Sequence, residues 1–590
     1  MRFMNPFNHA NVAWFFNSAW LLRCRRELNR FHVATTDVAG AQRFVLEEII
    51  RRNRDTEFGR EFGFGEIQTP EQFQRRVPVT DYEFYAQRIE RIATGEQRNV
   101  LTVDPVKLLE PTSGTSGGEK LIPYTRSLRG QFQRAIAAWI ADLMTHRPAV
   151  RGGRAYWSIT PAFGSHRESP GGIPIGFDAD TEYLGLWDRV FARRVMAVPA
   201  VCSKLQDIDN FRYCTLLHLL AAKDLSLISV WSPTFLTTLV SLLPQWQDRL
   251  CNDVARGTFS PPHDLEVVNG IVDHNFRPRK NRHRAQQLKA ILSSELSLSE
   301  KLGQLWPQLA LISCWASAAA ANYVDRVREL FPKVEIQPKG LIATEGFVSF
   351  PLIGRAAPAL AIRSHFFEFQ SVTGMDRDSH KNQCLMANEL AVGQHYRVLL
   401  TTGGGLYRYQ LYDEVQVVGF ENDCPLLRFV GSGQYASDLV GEKISEPFAA
   451  AVLQQLFADL NLKVDFSMLV PVQNDTIGTH EKTHMLKEAL PNYRLYLQGK
   501  FTESRLLIDK LGPMLEKALR ANPHYSYARE LGQLAPLEVQ VLTQEQPNAW
   551  ERYEREMVRR GIKLGNIKAT SIDGCLSWCN VFDESKSGTT

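Results

Sequence analysis

The sequence predicts an α/β fold in two unequal parts, a large N-terminal domain of β-sheets and packed helices over 1–431 and a smaller, hinged α+β domain over 432–590. Three observations predict it. The 590 residues are about four times the ~150 residues that one core usually serves. Apolar runs and helical segments alternate from about Val103 to Ala320, as a large α/β domain requires. The glycine-bearing stretch Gly431 to Gly441 then interrupts the pattern and reads as a hinge.

The elements follow in chain order. Val12 to Leu22 is apolar, but Asn17 interrupts it, the Arg23 to Arg26 cluster follows it, and no small-residue cleavage site appears. That predicts an amphipathic helix packed on the main domain, not a membrane span or a signal peptide. Thr36 and Asp37 offer N-cap oxygens to a helix in which Val38, Ala41, Val45 and Ile49 share a face and which ends near Asn53. Phe58, Phe62 and Phe64 lie among glycines and predict an aromatic loop. Leu216 to Ala222 and Phe235 to Leu243 read as helical, and Phe366, Phe367 and Phe369 around Glu368 as a half-buried strand. His395 to Thr402 and Glu414 to Phe420, with Val415 and Val417 alternating with polar residues, read as strands. This region closes near Phe429-Val430-Gly431. Beyond it, Val464 to Val470, Tyr493 to Leu497 and Leu537 to Leu542 predict strands, and Glu503 to Arg520 and Ala549 to Arg560 predict helices.

Composition narrows the function. With 68 Lys plus Arg against 64 Asp plus Glu, the net charge of +4 is too small over this length to make nucleic acid or an anionic membrane the main partner. A small molecule is the default. Nine dispersed cysteines, none in a Cys-x-x-Cys pair, indicate reduced thiols and a cytoplasmic location rather than a disulfide framework or zinc ribbon.

The most informative string is Glu110-Pro-Thr-Ser-Gly-Thr-Ser-Gly-Gly-Glu-Lys-Leu-Ile-Pro123. Between 112 and 118 it holds four hydroxyl residues (Thr112, Ser113, Thr115, Ser116) and three glycines (Gly114, Gly117, Gly118), with Lys120 close behind. Glycines let successive N–H groups converge and hydroxyls add donors without bulk, which suits phosphate oxygens. It is not a Walker A loop, because counting from Gly114 the second glycine is Glu119 and the magnesium hydroxyl is Leu121.

Thr112 to Pro123 resembles the Ser-rich ATP loop, SSGTSGG followed by K-x-I-P, of the Gretchen Hagen (auxin-responsive) family of acyl acid amido synthetases. That family lies within the adenylate-forming superfamily of acyl-CoA synthetases, luciferases and adenylation domains. Three further blocks follow in the expected order. Gly340-Leu-Ile-Ala-Thr-Glu-Gly346 is similar to Y-G-x-T-E, which implies that Thr344 meets a nucleotide phosphate and that Glu345 is the metal ligand for Mg²⁺, a cation that prefers oxygen. Gly405-Leu-Tyr-Arg-Tyr-Gln-Leu-Tyr-Asp-Glu-Val-Gln-Val-Val-Gly-Phe420 resembles G-L-Y-R-Y-R-x-G-D-x-x-x-V-x-G-F. The match implies that Asp413 accepts both ribose hydroxyls and groups Tyr407 and Arg408 with the nucleotide-binding residues; taken alone, Asp413 reads as a hairpin-turn residue. Phe429 to Glu446 resembles the hinge block and places Lys443 near the phosphates, with Ser432 where the pattern carries Arg. In the C-terminal domain, Asn522, Tyr525, Arg529 and Gly532 fit the family's positions, and Gly561 to Lys568 places Lys568 on a mobile catalytic lysine, followed by Thr570-Ser571 instead of Pro-Arg.

The resemblance implies ATP and Mg²⁺ as cofactors and a carboxylic acid substrate. It implies an acyl-AMP formed with pyrophosphate release, then transfer to an amine, an amino acid in this family. An acyl-CoA ligase using the same adenylate, or a non-catalytic nucleotide-binding homologue, are the alternatives. Residues between about 125 and 340 shape the acid's pocket, yet nothing there names a carboxylate partner.

Two other motifs are set aside. His480-Glu-Lys-Thr-His484 fits H-E-x-x-H, but a turn-like sequence precedes it and no third ligand is near, so a solvated loop is expected. Arg277, Arg279, Lys280, Arg282 and Arg284 make the densest basic run, expected to be a solvated helix start.

Overall fold

The structure, a computed structural model, describes residues 9–96, 98–112, 120–157, 167–176, 194–265, 273–372, 384–432, 436–473, 490–501, 504–543, 547–562 and 564–583. It divides into two compact units, Met1–Ala316 with Val324–Phe429, and Ser317–Tyr323 with Val430–Thr590. The second includes a seven-residue segment that a linear division of the sequence does not foresee. Within that unit Tyr323 is partly buried, its ring 5.6 Å from that of Trp550.

The first unit holds three sheets. A parallel sheet orders Arg154–Trp157, Leu225–Ser229, Leu311–Cys314 and Glu335–Pro338. Its central strands are buried throughout, as expected where helices cover both faces. A mostly antiparallel seven-stranded sheet runs Leu385–Met386, Phe366–Ser371, His395–Thr401, Tyr409–Glu421, Cys424–Ser432, Ala359–Leu360 and Ser349–Phe350. The third sheet pairs Leu108–Thr112 with Lys120–Tyr124 and adds two short strands, Pro174–Ile175 and Arg167–Glu168. The helix Arg126–His146, N-capped by the Thr125 hydroxyl, lies in the core that joins these sheets.

Helix starts obey their caps. Asp37 accepts from the Gly40 N–H and begins Val38–Asn53, while the apolar N-terminal stretch lies inside the helix His9–Ala34, which packs on Arg126–His146. Trp20, Cys24, Leu28 and Phe31 supply its buried side. Among the described residues no helix is long and apolar enough to cross a membrane.

Three local expectations are corrected. Phe58 and Phe64 sit in short helical turns, Glu57–Glu61 and Phe64–Glu66, with Phe58 fully buried and stacked 4.5 Å from Tyr407. Phe366–Ser371 is buried on both faces over its first four residues, because it is flanked by strands on either side and covered by other core elements. The basic run starts a helix at Arg282 behind an Asn281 cap, but Arg284 points inward and donates to the Leu220 and Leu305 carbonyls. Those carbonyls, not water, solvate its guanidinium, and burial pulls its pKa down to about 10. The His480–His484 motif lies outside the described residues.

The second unit is built on Val464–Val472, antiparallel to Asn492–Gly499, which is parallel to Glu538–Val541. The helices Glu446–Asp459 and Ser504–Leu519 pack to form its core, with Leu511, Leu515 and Leu519 fully buried.

Candidate active site

The loop read as phosphate-binding springs from a hairpin. Leu108–Thr112 and Lys120–Tyr124 are antiparallel, with Thr112 directly opposite Lys120, so the two ends of the loop are clasped side by side. Ser113, Gly114, Thr115, Ser116 and Gly117 lie between them, outside the described residues. Tyr82 fixes the second strand: its hydroxyl accepts the Leu121 N–H at 2.9 Å, and the Lys120 ammonium lies 5.7 Å from its ring centroid.

Thr344 and Glu345 occupy the tip of a tight turn. Ala343 and Gly346 exchange backbone hydrogen bonds across it, and Ile342 pairs with Phe347 below. Both tip residues are partly exposed. The Tyr124 hydroxyl donates to the Thr344 carbonyl at 2.5 Å, tying the hairpin to this turn. His365 holds the other side. Its Nε2 accepts the Phe347 N–H at 2.9 Å, which requires the proton on Nδ1, which faces Gln131 Oε1 at 3.0 Å. Burial pushes the imidazole down to about 3, so it stays neutral and keeps this tautomer.

Gln131 Oε1 also accepts the Gly403 N–H at 2.8 Å, and Thr125 donates to the Gly403 carbonyl at 2.7 Å. Gly403 lies two residues before the block Gly405 to Phe420. The hairpin, the turn and this segment are therefore joined by one buried hydrogen-bond network inside the first unit. Such a network is stiff only when every member is satisfied, which holds for this chain of contacts.

The structure engages the Tyr407 and Arg408 side chains within the protein. The Tyr407 ring is fully buried between Phe58 and Phe64, and its hydroxyl donates to the Leu101 carbonyl at 2.7 Å. The Tyr85 hydroxyl accepts the Tyr407 N–H and donates to the Tyr407 carbonyl. The Arg408 guanidinium is enclosed: it forms an ion pair with Glu368 at 2.9 Å and donates to the Gln74 and Val77 carbonyls. Both side chains anchor the segment through these contacts. They also hold Arg408 at φ 49°, a left-handed conformation that costs about 1–3 kcal/mol in a non-glycine residue.

Asp413 lies inside Tyr409–Glu421, not in a hairpin turn. Pairing with His395–Thr401 runs in register from Gln416 to Glu414, breaks, and resumes at Gln410, so Leu411, Tyr412 and Asp413 face a single residue, Val398. This bulge re-aims the Asp413 side chain. Tyr412 carries the bend at φ 63°, where the resembled pattern has glycine. Burial, followed by the charge of Glu345, raises the Tyr409 phenol, so Glu345 lies within electrostatic reach of the strand bearing Asp413.

In the second unit, Lys443 has φ 46° in the turn between Ala436–Ser437 and Ile444–Ser445. Glu442 fixes that turn by accepting the Leu439 and Val440 N–H groups and the Tyr493 hydroxyl, and Asn522 donates to the Lys443 carbonyl. Lys568 is exposed, with its carbonyl held by the Tyr553 hydroxyl at 2.7 Å. Its charge reaches Glu446, a carboxyl that burial raises to about 7 despite the Ser571 N–H it accepts.

Several structural partners escaped sequence reasoning. Glu368 could have been suspected as an acid inside a run of phenylalanines, whereas Gln131 and His365 carry no local signal. Cys202 and Cys214, distant in sequence, bring their sulfurs to 2.8 Å beside His218, all three buried.

Comparison with known proteins agrees with this architecture. The GH3 family N-terminal domain matches residues 27–336, its central domain 359–432 and its C-terminal domain 452–572. The chain is 26% identical over 586 residues to a probable indole-3-acetic acid-amido synthetase of Oryza sativa subsp. japonica, covering 91% of this chain and 92% of the relative. It is 23% identical over 576 residues to an indole-3-acetic acid-amido synthetase of Arabidopsis thaliana, covering 93% and 91%. A solved acyl acid amido synthetase shares the fold, with a TM-score of 0.77 at 20% identity over 94% of this chain and 95% of that one. With the N-terminal domain alone spanning more than half of the 590 residues and the other two following in order, the chain belongs to the GH3 family of amido synthetases, which are ligases.

Proposed function

We propose that the chain activates a carboxylic acid with ATP and joins it to an amino acid. The observation that carries this reading is the buried network joining the Thr112–Lys120 hairpin, the Thr344-Glu345 turn and the Gly403 segment that leads to Asp413. These are the three places at which ATP would be held.

In the proposed reaction a carboxylate oxygen attacks the α-phosphorus and the bond to pyrophosphate breaks. The loop residues 112–117 and Lys120 receive the phosphates, and the Asp413 carboxylate accepts the ribose hydroxyls. Thr344 and Glu345 offer a hydroxyl and a carboxylate at an accessible turn, a donor set that fits Mg²⁺, which when bound neutralises phosphate charge. Preorganisation is the contribution of Tyr124, His365 and Gln131, which fix the turn and Gly403 before substrate arrives.

The amine nitrogen then attacks the acyl carbon, AMP leaves, and the amine releases a proton. Lys443 and Lys568 are the proposed catalytic lysines of the second unit, each offsetting charge on phosphate oxygens in one of the two half-reactions. The nine cysteines are all free, which fits a reducing, cytoplasmic location. The test is acceptor dependence: AMP formation with an acid should rise when amino acids are supplied. Saturation by coenzyme A with no response to amines would identify a thioester ligase instead.

A further inference from the structure

The strands of the parallel sheet end on one edge, the side on which open α/β sheets bind ligands. Trp157, Ser229, Ser313 and Gln337 are paired in register across all four strands, so they form one row on one face. Two residues further along three of these strands come Trp231, Trp315 and Lys339, and the Trp315 N–H still donates to the Trp231 carbonyl. Ser313 and Gln337 are buried, whereas Trp157, Trp231, Trp315 and Lys339 are partly exposed. The result is a polar floor under an aromatic rim.

The floor is short of acceptors. Trp157 Nε1, Ser313 Oγ and Gln337 Nε2 are buried atoms with no hydrogen-bond partner among the described residues. The orientation of the Gln337 amide is set, because its Oε1 accepts the Trp139 Nε1–H at 3.1 Å. The Lys339 ammonium lies 5.0 Å from the ring centroids of both Trp139 and Trp231 and donates to Ser229 Oγ at 2.7 Å. Three buried polar atoms left unpaired along one row are uncommon in a native fold, where each is costly. Lysine, the tryptophan N–H and the amide NH₂ can only donate, and the serine hydroxyl can donate too, so their complement is a group that only accepts. A carboxylate is such a group. The rings of Trp231 and Trp315, 5.5 Å apart, add flat apolar surface for the rest of the ligand.

We infer that this cradle holds the acid to be activated, with Lys339 binding its carboxylate and the tryptophans its flat, aromatic body. This rests on the adenylation reading above. Lys339 immediately precedes Gly340, and the turn bearing Thr344 and Glu345 follows on the same segment. Short aliphatic acids, which leave the tryptophans uncovered, are poor ligands of such a site.

The test is calorimetric titration of the full-length protein with 2-naphthoate and its neutral counterpart 2-naphthamide. Naphthoate should bind about tenfold or more tightly than the amide, the range of a charge-assisted hydrogen bond. Lys339→Met should abolish that preference with thermal unfolding unchanged, and Lys339→Arg should retain much of it. Equal affinities in the wild type, no naphthoate binding at millimolar concentration, or a preference that survives Lys339→Met would each overturn the inference. Acid-dependent pyrophosphate release, measured in parallel, separates the two claims. Its presence with no carboxylate preference sinks the cradle alone, and its absence with a Lys339-dependent preference sinks the adenylation reading alone.

Discussion

The Tyr124 hydroxyl donates to the Thr344 carbonyl at 2.5 Å, joining the strand Lys120–Tyr124, which follows the proposed phosphate loop, to the turn that presents Glu345. Tyr124 is buried and its ring packs near Phe132, so Tyr124→Phe preserves the packing and removes one hydrogen bond. We expect a stability loss of about 1 kcal/mol, read by chemical denaturation, together with weaker ATP binding. Unchanged nucleotide affinity would show that the bond does not position the turn.

The Glu368–Arg408 pair gives a sharper stability prediction. Both side chains are almost fully buried, and removing one partner from such a pair costs about 3–5 kcal/mol because the other charge is left stranded. Arg408→Met and Glu368→Leu should each destabilise by that order, and the double variant by less than the sum of the two. An additive double variant would mean that the pair is not coupled.

Two buried groups predict opposite responses to pH. His365 is pushed down to about 3 by burial, so between pH ~6.5 and ~3 the unfolded chain takes up a proton that the folded one refuses, and stability falls as pH falls. His365→Gln should flatten this acid limb. Glu446 is raised to about 7, so from pH ~4.5 to ~7 the unfolded chain has already lost a proton that the folded one retains, and stability falls as pH rises. Glu446→Gln should remove up to about 3 kcal/mol of that loss, seen as a smaller drop in Tm between pH 5 and 8. Identical pH profiles for variant and wild type would contradict the assignment of either group.

Asp413 carries the proposed ribose contact. Asp413→Ala should weaken ATP binding by about tenfold or more, since two hydrogen bonds to a charged acceptor are lost. The bulge should persist, because Leu411 and Tyr412 still face Val398, and an unaltered circular dichroism spectrum would check this. ATP affinity equal to that of the wild type would remove Asp413 from the site.

Periodicity made much of the fold legible. The helix Val38–Asn53 and the strands Val464–Val472 and Asn492–Gly499 follow from spacing and caps within a few residues of one another. The misreadings share a cause, in that burial is decided by partners far along the chain. Arg284, in a run of charged neighbours, reads as solvated, yet the Leu220 and Leu305 carbonyls receive it. The same cause hides the partners of Tyr407 and Arg408, since only the folded chain shows the Leu101 carbonyl and Glu368 holding their side chains. Loop 112–120, the 344–345 turn and Asp413 stand out in the sequence as candidates because their chemistry is written in contiguous residues. His365 and Gln131, which join two of these blocks, are single residues with no local pattern, and Lys339 gains its meaning only when three other strands set tryptophans and serines around it.

The most direct test of the central claim is pyrophosphate release from ATP by the full-length protein, measured across aromatic and aliphatic carboxylic acids with and without amino acids. The account predicts release that depends on an acid, with AMP accumulating faster when the accepting amino acid is present. Pyrophosphate release that no carboxylic acid stimulates would contradict it.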